Sequence, residues 1–177
     1  MRYKTVLEKW NELDALLREL GLKDSSTPGL RREVQLAQIL GHLVHQTKHG
    51  PDAYNSVNDD KYEYLCAKIG KSVQMDRIDL TNVEKRFRKN HKIYVAFFNE
   101  SVVERLYEVE TQSMLDSAIE KIKRGIQRAE SRGKHWTSKH VGWTEDEVRK
   151  LKSKLVYEEN REPNKSAPDS PVTSSFY

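Results

Sequence analysis

Cysteine is almost absent from this chain, since Cys66 is the single thiol among 177 residues. One thiol cannot form a disulfide within the chain, which excludes a disulfide-stapled scaffold and favours a reducing compartment such as the cytoplasm. Long apolar runs are also lacking, because no segment approaches the ~18 apolar residues of a membrane-spanning helix. The amphipathic N-terminal segment lacks the uninterrupted apolar stretch of a signal peptide. We therefore expect a soluble cytoplasmic protein with no membrane partner.

Glycine-rich phosphate-binding motifs are lacking too. The sequence contains neither GxGxxG nor GxxxxGK[ST], and it has few strand–helix–strand alternations. A doubly wound nucleotide-binding fold is therefore disfavoured.

Charge is abundant and unevenly distributed. Charged residues make up 33% of the chain and the net charge is +4. The segment Lys85–Lys92 holds five Lys/Arg and no acid, and Lys121–Lys139 holds seven against the single acid Glu130. Clustered basic charge predicts a polyanionic partner, most simply nucleic acid. The alternative is that both segments are the solvated faces of ordinary helices.

Apolar periodicity and capping signals predict five helices around a central group of strands. We expect helices over Lys4–Leu20, Leu30–Gln46 and Thr111–Arg132, with a shorter helix capped near Thr81. Another helix should begin at Thr144 and continue through EVRKLKSKLVY. Expected strands are Tyr62–Ile69, Ser72–Ile78, His91–Asn99 and Val102–Val109, the last two forming a hairpin.

This order of elements predicts an α/β (α+β) fold with a central mixed β-sheet that contains hairpins and is flanked by helices. One domain should span residues 1–157. It would comprise a helical N-terminal region (1–48), a sheet that carries the site (50–110), and a helical, basic C-terminal region (111–157). Residues 158–177 hold three of the five prolines and few apolar side chains, which predicts a disordered tail.

The segment GPDAYNSVNDDKYEYLCAKIG, residues 50–70, carries the most functional information. Asp52 lies at a Pro-Asp turn, and Glu63 and Lys68 follow on a predicted strand. This layout resembles the PD-(D/E)XK nuclease superfamily, in particular the small type II restriction endonucleases. The resemblance covers residues 30–126 and implies a restriction-endonuclease-like core.

The resemblance also implies a function. It indicates a Mg²⁺-dependent endonuclease that cuts double-stranded DNA as a homodimer. Asp52 and Glu63 would bind the metal, and Lys68 would lie near the attacking water and the scissile phosphate. Glu33, on the preceding helix, would be a further metal ligand.

The motif departs from the pattern of the family, in which the acid and the lysine are separated by one residue. Glu63 and Lys68 are five residues apart, so on a regular strand they point to opposite faces. A bulge near Leu65-Cys66 would restore a common face. Alternatively Lys71 or Gln74 supplies the missing group, or the site is inactive.

Each candidate also has a purely structural explanation. Asp52 can close an Asx-turn, Glu33 can complement a helix dipole, and Glu63 can face water from an edge strand. His42, His45 and His49 have a spacing that can bind zinc on a helix, but we interpret them as a polar helix face. Cys66 is expected to be a small core residue.

DNA contacts are expected from the two basic segments. The loop GKHWTSKHVGW offers Lys134, His135, Trp136 and Lys139, which suit phosphates and bases. Its alternative role is a surface loop anchored by its tryptophans. Arg86, Arg88 and Lys89 would contact phosphates from a second surface.

Two other functions therefore remain open beside the endonuclease. One is a catalytically inactive DNA-binding protein on the same scaffold. The other is a protein–protein adaptor whose basic helix binds an acidic partner.

Overall fold

The computed structural model describes residues 3–46, 50–136 and 140–159. These residues form five helices and eight strands. The helices are α1 (Lys4–Glu19), α2 (Leu30–Leu40), α3 (Val83–Arg88), α4 (Thr111–Glu130) and α5 (Glu145–Lys150). The strands are β1 (Leu43–Val44), β2 (Ala53–Tyr54), β3 (Lys61–Lys68), β4 (Val73–Asp76), β5 (Lys92–Asn99), β6 (Val102–Val109), β7 (His140–Trp143) and β8 (Ser153–Glu158).

Six of the strands form one mixed sheet in the order β1-β2-β3-β5-β6-β8. The pairs are antiparallel except for β3 and β5, which run parallel. The remaining strands, β4 and β7, form a separate antiparallel pair. The α/β fold with a central mixed sheet is therefore confirmed.

The sheet is built around β5, which is buried on both faces. Its sequence KIYVAFFN is rich in β-branched and aromatic residues, as expected of a central strand. Ile93, Val95 and Phe97 belong to one core cluster, together with residues of α3, α4 and α5. Tyr94 and Phe98 belong to a second cluster on the opposite face, which includes residues of α2.

Two helix predictions were wrong at their C-terminal ends. The second helix ends at Leu40 because Gly41 adopts a left-handed conformation (φ 68°), after which the chain enters β1. The last helix ends at Lys150, and residues 153–158 form β8 against β6. Pairing with an existing sheet overrides the helical propensity of the segment KLKSKLVY.

The other predicted elements are confirmed, with ends that lie within four residues of the predicted ones. The hairpin between β5 and β6 turns at Glu100, whose φ of 53° is left-handed. Within the described residues, no helix is long and apolar enough to cross a membrane. The tail predicted for residues 158–177 lies almost entirely outside the described residues, although Glu158 itself ends β8.

The start of α5 offers a test of local stability. Thr144 and Glu147 form a reciprocal capping box, in which each side chain accepts a hydrogen bond from the backbone of the other. We expect Thr144→Ala to lower the free energy of unfolding by about 1 kcal/mol in urea denaturation. Ser56→Ala, in an exposed loop, is the control and should leave it unchanged. Equal stability of both variants would show that the cap does not stabilise the fold.

Candidate active site

Asp52 is positioned by the end of the short strand β2. Its backbone N–H donates to the carbonyl of Tyr62 at 3.0 Å, and its carboxylate accepts a hydrogen bond from the backbone N–H of Tyr64 at 2.7 Å. The carboxylate thus replaces a backbone carbonyl as the partner of β3 at this point. Asp52 is therefore a fixed element of the sheet, between β3 and the segment after β1, and more than a turn residue.

Three predicted metal ligands, Asp52, Glu63 and Glu33, interact electrostatically. Burial raises the pKa of Asp52 to about 7, and the negative charge of Glu63 adds to the shift. Burial also raises the pKa of Glu33, again with a contribution from Glu63. The fold therefore brings three acids, from α2, from β3 and from the position just before β2, close enough for their charges to repel.

Glu63 is held by the residues that follow α3. Its carboxylate Oε2 lies 3.4 Å from Nζ of Lys89 and accepts a 3.4 Å hydrogen bond from Nδ2 of Asn90. The Glu63 side chain is 14% exposed. The positive charge of Lys89 therefore offsets part of the cost of removing the Glu63 carboxylate from water. Lys89 also lowers the pKa of Asp52. Lys89 therefore supplies positive charge to the cluster.

A cleft leads to Asp52 and Glu33 from the surface. It is a cavity of about 350 Å³ between the segment after α1 and the segment before β2. Lys23 and His45 line it together with the two acids. The charge of Lys23 opposes the upward shift in the pKa of Glu33. A small charged group could thus reach both carboxylates.

Lys68 is not brought to Asp52. Strand β3 pairs with β5 in continuous register from Tyr62 to Lys68, so these described residues contain no bulge. Glu63 and Lys68 consequently point to opposite faces. Lys68 is four residues beyond Tyr64, a distance of about 13 Å along the strand. The bulge considered from the sequence is therefore wrong.

Tyr64 and Cys66 occupy the positions next to Asp52 on β3. Burial raises the pKa of the Tyr64 phenol above its ordinary value, and it raises the pKa of the Cys66 thiol to about 12. Both side chains are therefore neutral at physiological pH. The structure thus places a neutral phenol and a neutral thiol beside Asp52 on β3.

The oxygen atoms of the cluster are of the chemical type that Mg²⁺ takes as ligands. The described residues contain no group of three His, Cys, Asp or Glu side chains arranged to hold one ion. Mg²⁺ commonly binds one or two carboxylates and takes its other ligands from water and phosphate. Asn90 is 4% exposed, and its Oδ1 has no hydrogen-bond partner among the described residues. The carboxylates and this unsatisfied oxygen beside Glu63 are hard ligands of the kind that Mg²⁺ requires.

The histidines do not share a helix face. His42 follows the end of α2, and its Nδ1 lies 2.8 Å from the Tyr64 hydroxyl. The His42 ring stacks on Tyr62 with a centroid distance of 4.0 Å. His45 donates its backbone N–H to the carbonyl of Asp52 at 2.9 Å, and His49 lies outside the described residues.

Some of the basic side chains of α3 that were predicted to contact DNA form ion pairs within the protein. Arg88 pairs with Glu84 at 3.4 Å, and Lys89 pairs with Glu63. The Nε atom of Arg86 is buried without a hydrogen-bond partner among the described residues. Arg86 and Arg88 remain predicted phosphate contacts.

The second basic segment lies beyond α4. Lys134 and His135 are exposed, whereas Trp136 is half-buried against Gly125 and packs on the core. Trp136 therefore anchors the loop, as the alternative interpretation proposed. Lys139 lies outside the described residues.

Sequence reasoning missed the contributions of Lys23, Asn90 and His45 to the site, and it assigned Lys89 to DNA alone. These residues come from three separate segments, after α1, after β1 and after α3. No local spacing relates them to Asp52, because the fold alone brings them together. The unusual run KRFRKN before a strand was the single available signal for Lys89 and Asn90.

The fold and the site together define a mixed α/β protein with a largely buried carboxylate cluster beside β2 and β3. No protein-family model matches the chain, and no curated protein shows significant similarity to it.

The raised pKa of Asp52 predicts a specific pH dependence of stability. The native state binds more protons than the unfolded state between about pH 4 and pH 7, so the free energy of unfolding should fall as pH rises through this interval. Asp52→Asn removes the charge and keeps an acceptor for Tyr64. We expect the free energy of unfolding of this variant to be higher than that of the wild type at pH 8, by up to ~4 kcal/mol, and equal to it near pH 3.

Urea denaturation at a series of pH values measures this difference. Asp59→Asn, at an exposed loop acid, is the matched control and should follow the wild type. If Asp52→Asn were no more stable than the wild type at pH 8, Asp52 would not be buried near negative charge.

Proposed function

We propose that this protein is a Mg²⁺-dependent endonuclease that hydrolyses phosphodiester bonds in double-stranded DNA. The observation that carries the proposal is the cluster of Asp52, Glu63 and Glu33, in which Asp52 has a pKa of about 7 and opens onto a cleft. Clustered buried acids are costly in an apo protein. Strongly shifted acids in a cleft are characteristic of functional sites.

Asp52 and Glu63 would hold the metal, with Glu33 as a further carboxylate at the cleft wall. A bound Mg²⁺ lowers the pKa of an attacking water and neutralises phosphate charge. The hydrogen bond from the Tyr64 backbone fixes the orientation of the Asp52 carboxylate. The Lys89 and Asn90 side chains fix Glu63.

Lys89, rather than Lys68, is the lysine that we assign to the reacting phosphate. Its ammonium group lies 3.4 Å from Glu63 and interacts with the charge of Asp52. A positive charge in this position stabilises the negative charge that develops on the phosphate oxygens. Lys68 is exposed at the far end of β3.

Cutting both strands of a duplex requires two such sites. A C2 homodimer supplies them and matches the two-fold symmetry of a palindromic DNA sequence. Sequence-specific cleavage of the type II restriction class is therefore part of the proposal.

A catalytically inactive DNA-binding protein is the second candidate. It is favoured by the neutral Tyr64 and Cys66 beside Asp52, and by the distance of Lys68 from the acids. On this alternative the basic segments bind DNA, and the acids have no catalytic role.

The first test is incubation with a long mixed-sequence DNA duplex in Mg²⁺ and in EDTA. We expect discrete fragments in Mg²⁺ and intact DNA in EDTA. Intact DNA that is nevertheless retarded in a gel would favour the inactive binding protein. Neither cleavage nor retardation would favour the adaptor.

Four variants assign the catalytic roles. Asp52→Ala and Glu63→Ala should abolish cleavage and leave DNA binding in Ca²⁺ largely intact, because Ca²⁺ has the charge of Mg²⁺ but supports little hydrolysis. Lys89→Ala should lower the cleavage rate by about 10² or more. Lys68→Ala is the matched control and should cleave at the wild-type rate. If Lys68→Ala lost cleavage and Lys89→Ala did not, Lys68 would be the lysine that acts at the reacting phosphate.

The salt dependence of DNA binding tests the basic loop. Each phosphate contact that is lost should reduce the slope of log K against log salt by about 1. We expect Lys134→Ala and Lys139→Ala to weaken binding and to reduce this slope, whereas Lys150→Ala, on the exposed side of α5, should not. An unchanged slope in the first two variants would place the DNA surface elsewhere.

A further inference from the structure

Helix α1 exposes an apolar face that the rest of the described chain does not cover. Large apolar side chains between 43 and 69% exposed occur along it and its flanks: Tyr3, Val6, Leu7, Trp10, Leu13, Leu16 and Leu20. Leu17 is the one residue of α1 that is buried. A contiguous apolar surface of this kind is unusual on a monomer and marks an interaction site.

The apolar residues along α1 and its flanks follow a heptad repeat, of which Leu17 alone is buried. Tyr3, Val6, Trp10, Leu13, Leu17 and Leu20 are separated alternately by three and four residues. This spacing keeps one face of a helix against a partner helix over its whole length. We therefore expect the partner of this apolar face to be another helix of similar length. The 16 residues of α1 span about 24 Å.

A groove beside α1 continues this apolar surface. It is a cavity of about 640 Å³, bounded by Trp10, Leu13 and Leu17 of α1 and by Leu30 and Val34 of α2. A second helix would lie in this groove and contact α1 and α2 together.

The charges on α1 identify the occupant. The first half, Lys4–Asn11, has two lysines and one glutamate, whereas the second half, Glu12–Glu19, has three acids and one arginine. Two antiparallel copies of α1 therefore bring the basic half of each copy beside the acidic half of the other. Parallel pairing would bring like charges together. Antiparallel pairing also opposes the two helix dipoles favourably.

We propose that α1 is the homodimer interface and pairs antiparallel with α1 of a second copy about a two-fold axis. In the alignment centred between Asn11 and Glu12, Trp10 meets Leu13 of the other copy, and Lys4 meets Glu19. Each contact occurs twice because the interface is two-fold symmetric.

This inference rests on the proposed function in one respect, namely the need for two subunits to cut two strands. The association is measured without DNA or metal. A monomeric protein would overturn the interface and leave the cleavage assay to decide the activity separately.

Sedimentation velocity over a range of protein concentrations tests the interface. We expect a wild-type species of twice the chain mass of 20.7 kDa. Leu13→Glu should weaken dimerisation by roughly a hundred-fold or more, because it places charge at the centre of the apolar contact. Leu80→Glu is the matched control, since Leu80 is 44% exposed and Leu13 is 43% exposed. Circular dichroism verifies that both variants are folded.

A charge exchange distinguishes antiparallel self-pairing from any other contact. Lys4→Glu alone and Glu19→Lys alone each create two like-charge contacts, which should weaken the dimer roughly three- to ten-fold. An equimolar mixture of the two variants should recover wild-type association, because every pair is again of opposite charge.

Three outcomes would overturn the interface. They are a wild-type monomer at every concentration, a Leu13→Glu variant that dimerises normally, or a mixture of the charge variants that stays as weak as each alone.

Discussion

The parallel pairing of β3 with β5 is the constraint on which the rest of the structure depends. It runs in continuous register over seven residue pairs, from Tyr62 to Lys68, and therefore fixes which face each β3 side chain occupies. Glu63 shares its face with the core beneath α3 and α4, whereas Tyr64 and Cys66 belong to the face covered by α2. A regular strand cannot place Glu63 and Lys68 on one side. The positive charge at the acids consequently comes from Lys89, just after α3.

The acid cluster shows a conflict between stability and a role in chemistry. Asp52, Glu63 and Glu33 repel one another, and burial raises the pKa of Asp52 and Glu33. Lys89 and Lys23 compensate for this repulsion in part. Proteins tolerate such arrangements mainly where the unfavourable charge serves a ligand, because a cation relieves the repulsion when it binds. The proposed magnesium site and the pH sensitivity of the fold thus have the same physical origin.

The sequence was most informative where local and tertiary preferences agree. The β5–β6 hairpin and α4 were predictable because their apolar patterns match the faces that the core covers. Predictions failed where tertiary contacts override local preference. The segment after α5 forms a strand because β6 offers an edge for pairing, and α2 ends early because Gly41 adopts a left-handed conformation. The short strands β1 and β2 were missed because two residues carry no periodicity.

The sequence by itself determined the fold class and the central strand, and it drew attention to the acids Asp52, Glu63 and Glu33 through a family resemblance. Composition and periodicity report which residues prefer burial, and the spacing of acids around a turn is a local property. Only the tertiary structure decided that Lys89 and Lys23, and not Lys68, lie near those acids. It also decided that the apolar face of α1 is left uncovered, whereas periodicity alone predicted a helix without saying what covers it. Both outcomes depend on contacts between segments distant in the chain, and no local pattern records such contacts.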